Sequence, residues 1–267
     1  MSVVLHLSDT HFGTEQASVV EALVAWVRQQ QPDLLLLSGD ITQRARASQF
    51  DAAQAFLARL GVPVLAVPGN HDLPLFDLWA RLRHPYASFM AAFGSELEPV
   101  HASPDLLVLG VNTTRAGRHR HGEVSDQQIE RVARALAQAR PGQLRLVLVH
   151  QPVAVTQPHD APNRLRGHAA ALPRWAEAGA DLILGGHIHL PYVQAIHGLA
   201  RPLWAVQAGT AVSSRVRTGV PNSVNLLHWG APAEGRPPRC LIERWCFAAG
   251  AQTFERTDVT TVWPARA

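Results

Sequence analysis

Five short segments of the sequence carry imidazole, carboxylate and amide side chains, and each segment directly follows an apolar run. One Asp-x-His or His-x-His pair alone would be weak evidence, because histidines beside glycine often belong to ordinary turns. Five such segments in one chain predict a shared metal site. The candidate metal ligands are Asp9, His11, Asp40, Asn70, His150, His187 and His189.

The types of ligand indicate which metals the site would hold. Imidazole, carboxylate and amide oxygen without thiolate favour manganese, iron or zinc over calcium or a sulfur-rich structural zinc site. Seven ligands are too many for one tetrahedral ion, but they suit two adjacent ions bridged by a carboxylate and a water. Two divalent cations would outweigh the two aspartates, so the site should attract an anionic phosphoryl group.

The hydrophobic pattern predicts the elements that must position these ligands. Apolar runs alternate with amphipathic stretches as far as residue 190, which is typical of an α/β layered fold. In open α/β sheets, sites lie outside the carboxyl ends of the strands, so the five segments should converge in one crevice. Strands are predicted over residues 3–7, 33–38, 62–67, 106–111, 144–149 and 182–184, and helices over residues 15–30, 48–60 and 125–140.

Beyond residue 190 the pattern changes to short extended runs separated by Gly and Pro. The runs cover residues 192–196, 203–207, 224–227 and 241–247, and residues 231–238 are predicted to be a loop or hairpin tip. We therefore expect one domain over residues 1–267. Residues 1–190 would form its metal-ligand α/β core, and residues 191–267 would add antiparallel strands that complete the sheets.

The order of the five segments resembles the calcineurin-like metallophosphoesterase superfamily, and within it the bacterial class III cyclic nucleotide phosphodiesterases most. The matching motifs are Asp9-x-His11, Gly39-Asp40, Gly69-Asn70-His71-Asp72, His150 and Gly186-His187-x-His189. This resemblance implies a four-layer αββα sandwich, with mixed sheets inside and helices on the outside. It also implies one ion held by Asp9, His11 and His189, a second held by Asn70, His150 and His187, and a bridge formed by Asp40 with a water or hydroxide.

The resemblance further implies a catalytic role for His71, which would face the substrate phosphate together with Asn70. In the implied reaction the bridging hydroxide attacks phosphorus in line, and His71 stabilises the transition state and helps to protonate the departing alkoxide. The neighbouring Asp72 would either orient the imidazole of His71 or cap the turn that follows.

Three loops are candidates for further substrate contacts. Arg164 and Arg166 lie in residues 156–167, and Arg215 and Arg217 lie in residues 213–217. Arginines beside a rigid site can bind a phosphate or carboxylate, although plain solvated loops are the alternative. A third loop, residues 115–123, follows another predicted strand and could also border the substrate.

The resulting prediction is a metal-dependent hydrolase of a small-molecule phosphodiester. The resemblance alone favours a 3′,5′-cyclic nucleotide as substrate, and a broad phosphomonoesterase or a phosphodiesterase of another metabolite is the alternative. UDP-diacylglucosamine hydrolases of the superfamily are less favoured, because they typically carry Arg at the position of His71. A nuclease would need a DNA-binding region, and a non-enzymatic scaffold would have lost ligands, so both are less favoured.

The composition indicates the cellular compartment and the kinds of partner that are expected. No apolar run reaches membrane-spanning length and no secretory signal is recognisable, so a cytoplasmic protein without a membrane partner is expected. The formal charge is only +3 and the arginines are scattered, which argues against a nucleic-acid partner. The two cysteines, Cys240 and Cys246, are expected to be reduced thiols. A homodimer is a further possibility.

Overall fold

Helices and strands alternate along most of the chain in the computed structural model, which describes residues 2–230 and 238–265. The strands are β1 (Ser2–Leu7), β2 (Leu34–Leu37), β3 (Val64–Ala66), β4 (Val100–Ala102), β5 (Leu106–Gly110), β6 (Leu144–Leu148), β7 (Leu182–Gly185), β8 (Tyr192–Ile196), β9 (Leu203–Gln207), β10 (Ser223–Trp229), β11 (Cys240–Ala248) and β12 (Thr253–Val262). The α-helices are α1 (Ala17–Gln30), α2 (Ala47–Leu60), α3 (Leu78–Arg83), α4 (Ala87–Phe93), α5 (Asp126–Ala137) and α6 (His168–Ala178). Short 3-10 helices cover Asn70–Asp72 and Pro158–Asn163.

The strands form two six-stranded mixed sheets. The first has the order β12-β11-β10-β1-β2-β3 and the second the order β4-β5-β6-β7-β9-β8. In the first sheet β1, β2 and β3 are parallel, and β10, β11 and β12 are added to β1 in antiparallel pairs. In the second sheet β5, β6, β7 and β9 are parallel. The hairpin tip predicted over 231–238 lies, apart from Pro238, outside the described residues.

Strand β2 shows why four consecutive leucines are needed at this place. Leu34 and Leu36 belong to the core between the two sheets, whereas Leu35 and Leu37 belong to the core beneath α1 and α2. Successive side chains of a strand point to opposite faces, so a strand buried on both faces reads as an uninterrupted apolar run. Each fully buried leucine contributes roughly 2 kcal/mol of transfer free energy.

The second sheet is covered in the same way. In β6, Leu146 and Leu148 face the core between the sheets, and Val147 faces the core under α5 and α6. Ser125 caps α5, because its hydroxyl accepts a hydrogen bond from the Gln128 backbone nitrogen at 3.3 Å. Three cores separated by two sheets confirm the predicted four-layer αββα sandwich.

Several elements were missed by the sequence pattern. Strand β12 is mostly exposed and therefore lacks an alternating apolar signal. Helix α6 contains Pro173, which the pattern treats as a helix breaker. Strand β9 corrects the expectation of purely antiparallel additions beyond residue 190, because it inserts between β7 and β8 and pairs with β7 in parallel.

In the described ranges, none of the helices is both long and apolar enough to span a membrane.

Candidate metal centre

The predicted ligands lie at the carboxyl ends of five parallel strands. In the first sheet, β1 ends before Asp9 and His11, β2 before Asp40, and β3 before the 3-10 helix that begins at Asn70. In the second sheet, β6 ends before His150, and β7 before His187 and His189. Because both sheets present these ends at the same edge of the sandwich, the structure brings all seven side chains together, as the sequence predicts.

The first group of candidate ligands combines Asp9, His11 and His189, whose ligand atoms lie within 4.8 Å of one another. The Asp9 Oδ1 atom is 3.2 Å from His189 Nε2. The two imidazoles also face each other, with 3.3 Å between His11 Nε2 and His189 Nε2. One carboxylate and two imidazoles in such proximity form a ligand set that suits one divalent ion.

The second group combines Asp40, His150 and His187 within the same separation, with Asn70 beside them. Both Asp40 Oδ1 and Asn70 Oδ1 lie 3.2 Å from His150 Nε2. The other carboxylate oxygen, Asp40 Oδ2, lies 3.8 Å from His11 Nε2 in the first group. Asp40 therefore stands between the two groups, where a bridging carboxylate would be required.

Buried atoms without a partner test whether metals fit these groups. Asp9 Oδ1, His11 Nδ1 and His187 Nδ1 are buried and accept or donate no hydrogen bond within the described residues. Buried polar atoms are almost always hydrogen-bonded, so orphaned atoms in a cluster of ligands indicate that something else completes them. The donor set fits two divalent ions, which would complete Asp9 Oδ1 and His187, whereas His11 faces the cluster with Nε2 and not with its unpaired Nδ1.

Backbone carbonyls orient two of the imidazoles. His150 Nδ1 lies 2.7 Å from the Ser38 carbonyl oxygen, and His189 Nδ1 contacts the carbonyl oxygen of Arg215. Since a carbonyl can only accept, each Nδ1 must carry the hydrogen. This tautomer leaves the lone pair of each Nε2 free to point into the ligand cluster.

The ligand loops hold unusual backbone conformations. A left-handed conformation costs a non-glycine residue roughly 1–2 kcal/mol, and such residues persist mainly where a site requires them. Five of the candidate ligands have positive φ angles, namely Asp9 (52°), His11 (41°), Asp40 (50°), His187 (76°) and His189 (56°).

Two motif glycines are needed because neighbouring backbone and side-chain atoms lie too close to them for a Cβ atom, and not because the chain turns there. A Cβ atom at Gly69 would overlap the backbone nitrogen and Oδ1 of Asp40, and one at Gly186 would overlap the Ser8 hydroxyl and Asp9 Oδ2. These glycines let neighbouring strand ends pack directly against the carboxylate ligands.

A sequence model of the calcineurin-like phosphoesterases matches residues 2–191, which hold all seven candidate ligands. The chain belongs to this family. Family membership and the two phosphodiesterase relatives described below confirm the prediction of a metal-dependent phosphoric ester hydrolase.

This calcineurin-like phosphoesterase is similar in sequence to two bacterial phosphodiesterases and in fold to a solved phosphatase structure. It is 26% identical over 212 residues to a probable cyclic nucleotide phosphodiesterase of Rhodococcus erythropolis, covering 73% of this chain and 67% of the relative. It is 28% identical over 202 residues to a cAMP/cGMP dual specificity phosphodiesterase of Mycobacterium tuberculosis, covering 70% of this chain and 61% of the relative. A dimetal phosphatase of Danio rerio shares the fold at 15% identity, with a TM-score of 0.69 and 99% of both chains covered.

His71 of this phosphoesterase lies beside both ligand groups. Its backbone nitrogen donates to Asp40 Oδ1 at 2.9 Å, which fixes the residue against the candidate bridge. Its Nδ1 atom lies 2.9 Å from the Gln43 carbonyl oxygen and must donate to it. The Nε2 atom is therefore the one available to other groups, and it lies 3.2 Å from Arg215 Nη1.

Asp72 does not orient the imidazole of His71, and that part of the prediction is wrong. Its carboxylate accepts hydrogen bonds from the backbone nitrogens of Ile41 at 3.2 Å, Thr42 at 2.8 Å and Gly69 at 2.8 Å. Burial and the charge of Asp40 raise the pKa of Asp72 to about 6, although these hydrogen bonds oppose the shift. Asp72 instead joins the loop after Asp40 to the loop of the Gly69 motif.

Charges of opposite sign also bind the ligand groups together in the metal-free chain. Burial lowers the pKa of His150, but the charges of Asp40 and Asp9 outweigh it and raise this pKa to about 9. Burial and the neighbouring His150 lower the pKa of His187 to about 3. Burial raises the pKa of Asp40, yet the charges of His150 and His71 hold it well below its usual range.

A cavity of about 470 Å³ opens over both ligand groups, with Asp40, Asn70, His71, His187 and His189 on one side. Six further lining residues, which we call the loop wall, come from the three loops that the sequence marked as candidates. The loop wall consists of His119, Arg120, Asp160, Asn163, Arg215 and Arg217.

The loop wall corrects one predicted substrate contact. Arg164 is exposed and does not line the cavity, so a direct substrate contact is not supported for it. Its loop contributes Asp160 and Asn163 instead, because both lie in the 3-10 helix Pro158–Asn163 that faces the cavity. Arg164 was a candidate because of its charge alone. Which residues of this loop line the cavity depends on the direction of the 3-10 helix, which the sequence does not show.

Proposed function

We infer that this chain hydrolyses a small-molecule phosphodiester, with a 3′,5′-cyclic nucleotide as the favoured substrate. One observation carries the reaction type: the Nε2 atom of His71 faces a cavity that also exposes members of both ligand groups. The names of the Rhodococcus and Mycobacterium relatives support the choice of substrate. The alignments cover 67% and 61% of those relatives, so the substrate is proposed from shared motifs.

The protein's own side chains would bind and orient the phosphodiester. Arg215 is positioned by Gln43 Oε1, which accepts from its Nη1 at 2.9 Å, and it lies next to His71. A guanidinium at this place would hold a nonbridging phosphate oxygen. Asn70 lies on the same side of the cavity and would hold a second oxygen while it serves as a ligand.

His71 would handle the proton of the leaving group. The hydrogen bond from Nδ1 to the Gln43 carbonyl fixes the ring, so that only Nε2 can donate to the departing alkoxide. Two divalent ions held by the seven ligands would supply Lewis-acid polarisation of the phosphoryl group and activation of a water. No covalent bond to the protein is needed in this scheme.

The proposal is tested with metal-depleted protein that is reloaded separately with manganese, iron or zinc. Each form is assayed with cyclic AMP, bis(p-nitrophenyl) phosphate and p-nitrophenyl phosphate. Turnover of cyclic AMP is expected with at least one metal. Diester hydrolysis without cyclic AMP turnover would remove the cyclic nucleotide, preference for the monoester would favour a phosphomonoesterase, and inactivity with every metal would favour a scaffold.

Several expectations stay predictions. They are the cytoplasmic location, the absence of nucleic-acid and membrane partners, the homodimer and the identity of the two metals. Size-exclusion chromatography with light scattering would measure the oligomeric state.

A further inference from the structure

Arg217 is the most heavily bonded side chain of the loop wall. Its Nη1 atom lies 2.9 Å from Asp160 Oδ2 and 3.2 Å from Asp160 Oδ1. Its Nη2 atom donates to Gln157 Oε1 at 2.7 Å and also contacts His159. A weaker contact of 3.4 Å joins Nη1 to the carbonyl oxygen of Ile188, between the candidate ligands His187 and His189. One guanidinium therefore joins the loop wall to a ligand loop.

Asp160 is an unusual residue for an anion-binding cavity. It is only 4% exposed, yet it lines the cavity in which a phosphate would bind. A carboxylate that is removed from water and left unpaired repels a nearby anion strongly, because little solvent screens the charge. The ion pair with Arg217 cancels that charge at the cavity surface.

The other two arginines of the loop wall are not used in this way. Arg120 donates to the neutral side chain of Asn163 at 3.4 Å, and Arg215 donates to the neutral side chain of Gln43 at 2.9 Å. Their positive charges stay available to an anion. With the Asp160–Arg217 pair neutral, Arg120 and Arg215 leave the loop wall with two net positive charges. Without Arg217, the carboxylate of Asp160 would offset one of those two charges.

We propose that the Asp160–Arg217 ion pair determines the affinity of this cavity for anionic substrates by masking the carboxylate of Asp160. Arg217 is a positioning residue in this scheme, since its contacts are with protein groups. The inference deepens the proposed function and rests on it. The substrates affected would be phosphate esters whose negative charge lies between the metal centre and Arg215.

A purely structural role for Arg217 makes a different prediction from masking. If Arg217 only tethered the loop, then replacing both Asp160 and Arg217 would weaken substrate binding at least as much as replacing Arg217 alone. If it masks charge, then removing both partners abolishes the repulsion and restores binding. The pair of variants R217Q and D160N/R217Q therefore separates the two roles.

The first measurement is steady-state hydrolysis of bis(p-nitrophenyl) phosphate and cyclic AMP at low ionic strength. R217Q should raise KM about tenfold, with kcat nearly unchanged, because one uncompensated negative charge repels the substrate. D160N/R217Q should return KM to near the wild-type value, and D160N alone should not raise it. R174Q, which breaks the exposed Arg174–Glu130 pair between α6 and α5, is the matched control and should behave as wild type.

The second measurement does not depend on turnover. Binding of inorganic phosphate to each metal-reloaded variant is followed by titration calorimetry, and the Kd values should follow the same order as KM. Circular dichroism of each variant checks that it is folded.

A double variant as weak in phosphate binding as R217Q would overturn the proposal, and so would an R217Q variant with wild-type Kd and KM. These results are distinguishable from failure of the proposed function. If the proposed function is wrong, the wild-type protein hydrolyses no ester with any metal. The order of the phosphate Kd values among the variants would still decide whether Arg217 masks the charge of Asp160.

Discussion

Two polar clusters of this phosphoesterase, each built around a buried carboxylate, differ in how their atoms are satisfied. In the metal centre, Asp9 Oδ1 and His187 Nδ1 have no hydrogen-bond partner in the described parts of the chain. In the first sheet, both carboxylate oxygens of Glu243 are bonded, one to Arg256 at 2.6 Å and the other to Trp245 at 2.9 Å.

This difference distinguishes a cluster that can bind ions from a cluster that only stabilises the fold. The cluster around Glu243 is completed by the protein itself, with His228 a further 3.5 Å neighbour, so it should contribute to stability and not to chemistry. The metal centre is incomplete without ions, so its cost in burial and strain makes sense only if something binds there. Experiments that remove one cluster at a time can break or sharpen this contrast.

The largest effect is expected from Asp40→Ala. Loss of the candidate bridge should lower kcat/KM by roughly 1000-fold and reduce the metal content, because both ligand groups share this carboxylate. Metal content is measured by elemental analysis beside the kinetics. Asp51→Ala, on an exposed position of α2, is the matched control, and full metal content in D40A would contradict the bridging role.

The next largest effect is expected from His71→Gln. This variant should lower kcat by roughly 100-fold with a poor leaving group and keep its metals, because proton transfer is lost and no ligand is removed. His197→Gln, an exposed histidine in the loop before β9, is the control. Near-normal turnover of an alkyl ester by H71Q would exclude proton transfer by this residue.

Metal removal should act on stability as well as on activity. At a free metal concentration about 100 times Kd, binding should stabilise the folded chain by about 3 kcal/mol, since only the folded chain brings the ligands together. Thermal unfolding with and without chelator measures the shift. The variant E243Q should show the same metal-dependent shift as wild type, and a smaller shift would mean that the two clusters are coupled.

The smallest effect is expected from Glu243→Gln, which should cost about 1 kcal/mol of unfolding free energy and leave kcat/KM unchanged. Burial raises the pKa of Glu243, but hydrogen bonds from Arg256 and Trp245 outweigh burial, so the folded pKa lies below the ordinary value of 4.5. A lowered folded pKa means that the stabilisation is complete above about pH 4.5 and is lost as the pH falls through the folded pKa. Urea titrations should therefore show a larger difference between the variants at pH 7 than at pH 3.5.

The sequence predicted the convergence of the candidate ligands because that information is local. Each ligand directly follows an apolar strand, and the ends of parallel strands meet at one edge whatever the loops do. The positions of Asp9, Asp40 and His150 thus follow from strand order. The three loops of the wall obey the same rule, since they follow the carboxyl ends of the parallel strands β5, β6 and β9.

Side-chain direction beyond the strand ends could not be predicted in this way. Asp72 and His71 are adjacent, yet a 3-10 turn sends one into the protein and the other into the cavity. Arg164 was favoured for its charge, whereas the partners of Arg217 depend on contacts 57 residues apart in the chain. Such long-range pairs leave no local signal in one sequence.

The hydrogen bonds of the Asp72 carboxylate would mislead a mutational scan that is scored by turnover alone. Replacing Asp72 would release the backbone of Ile41 and Thr42, the residues directly after Asp40, so activity would fall as if a catalytic group had been lost. A scan scored by metal retention would instead group Asp72 with the ligands and apart from His71. In this chain, an acidic residue beside the proposed catalytic histidine can thus be required for activity while it never meets the substrate.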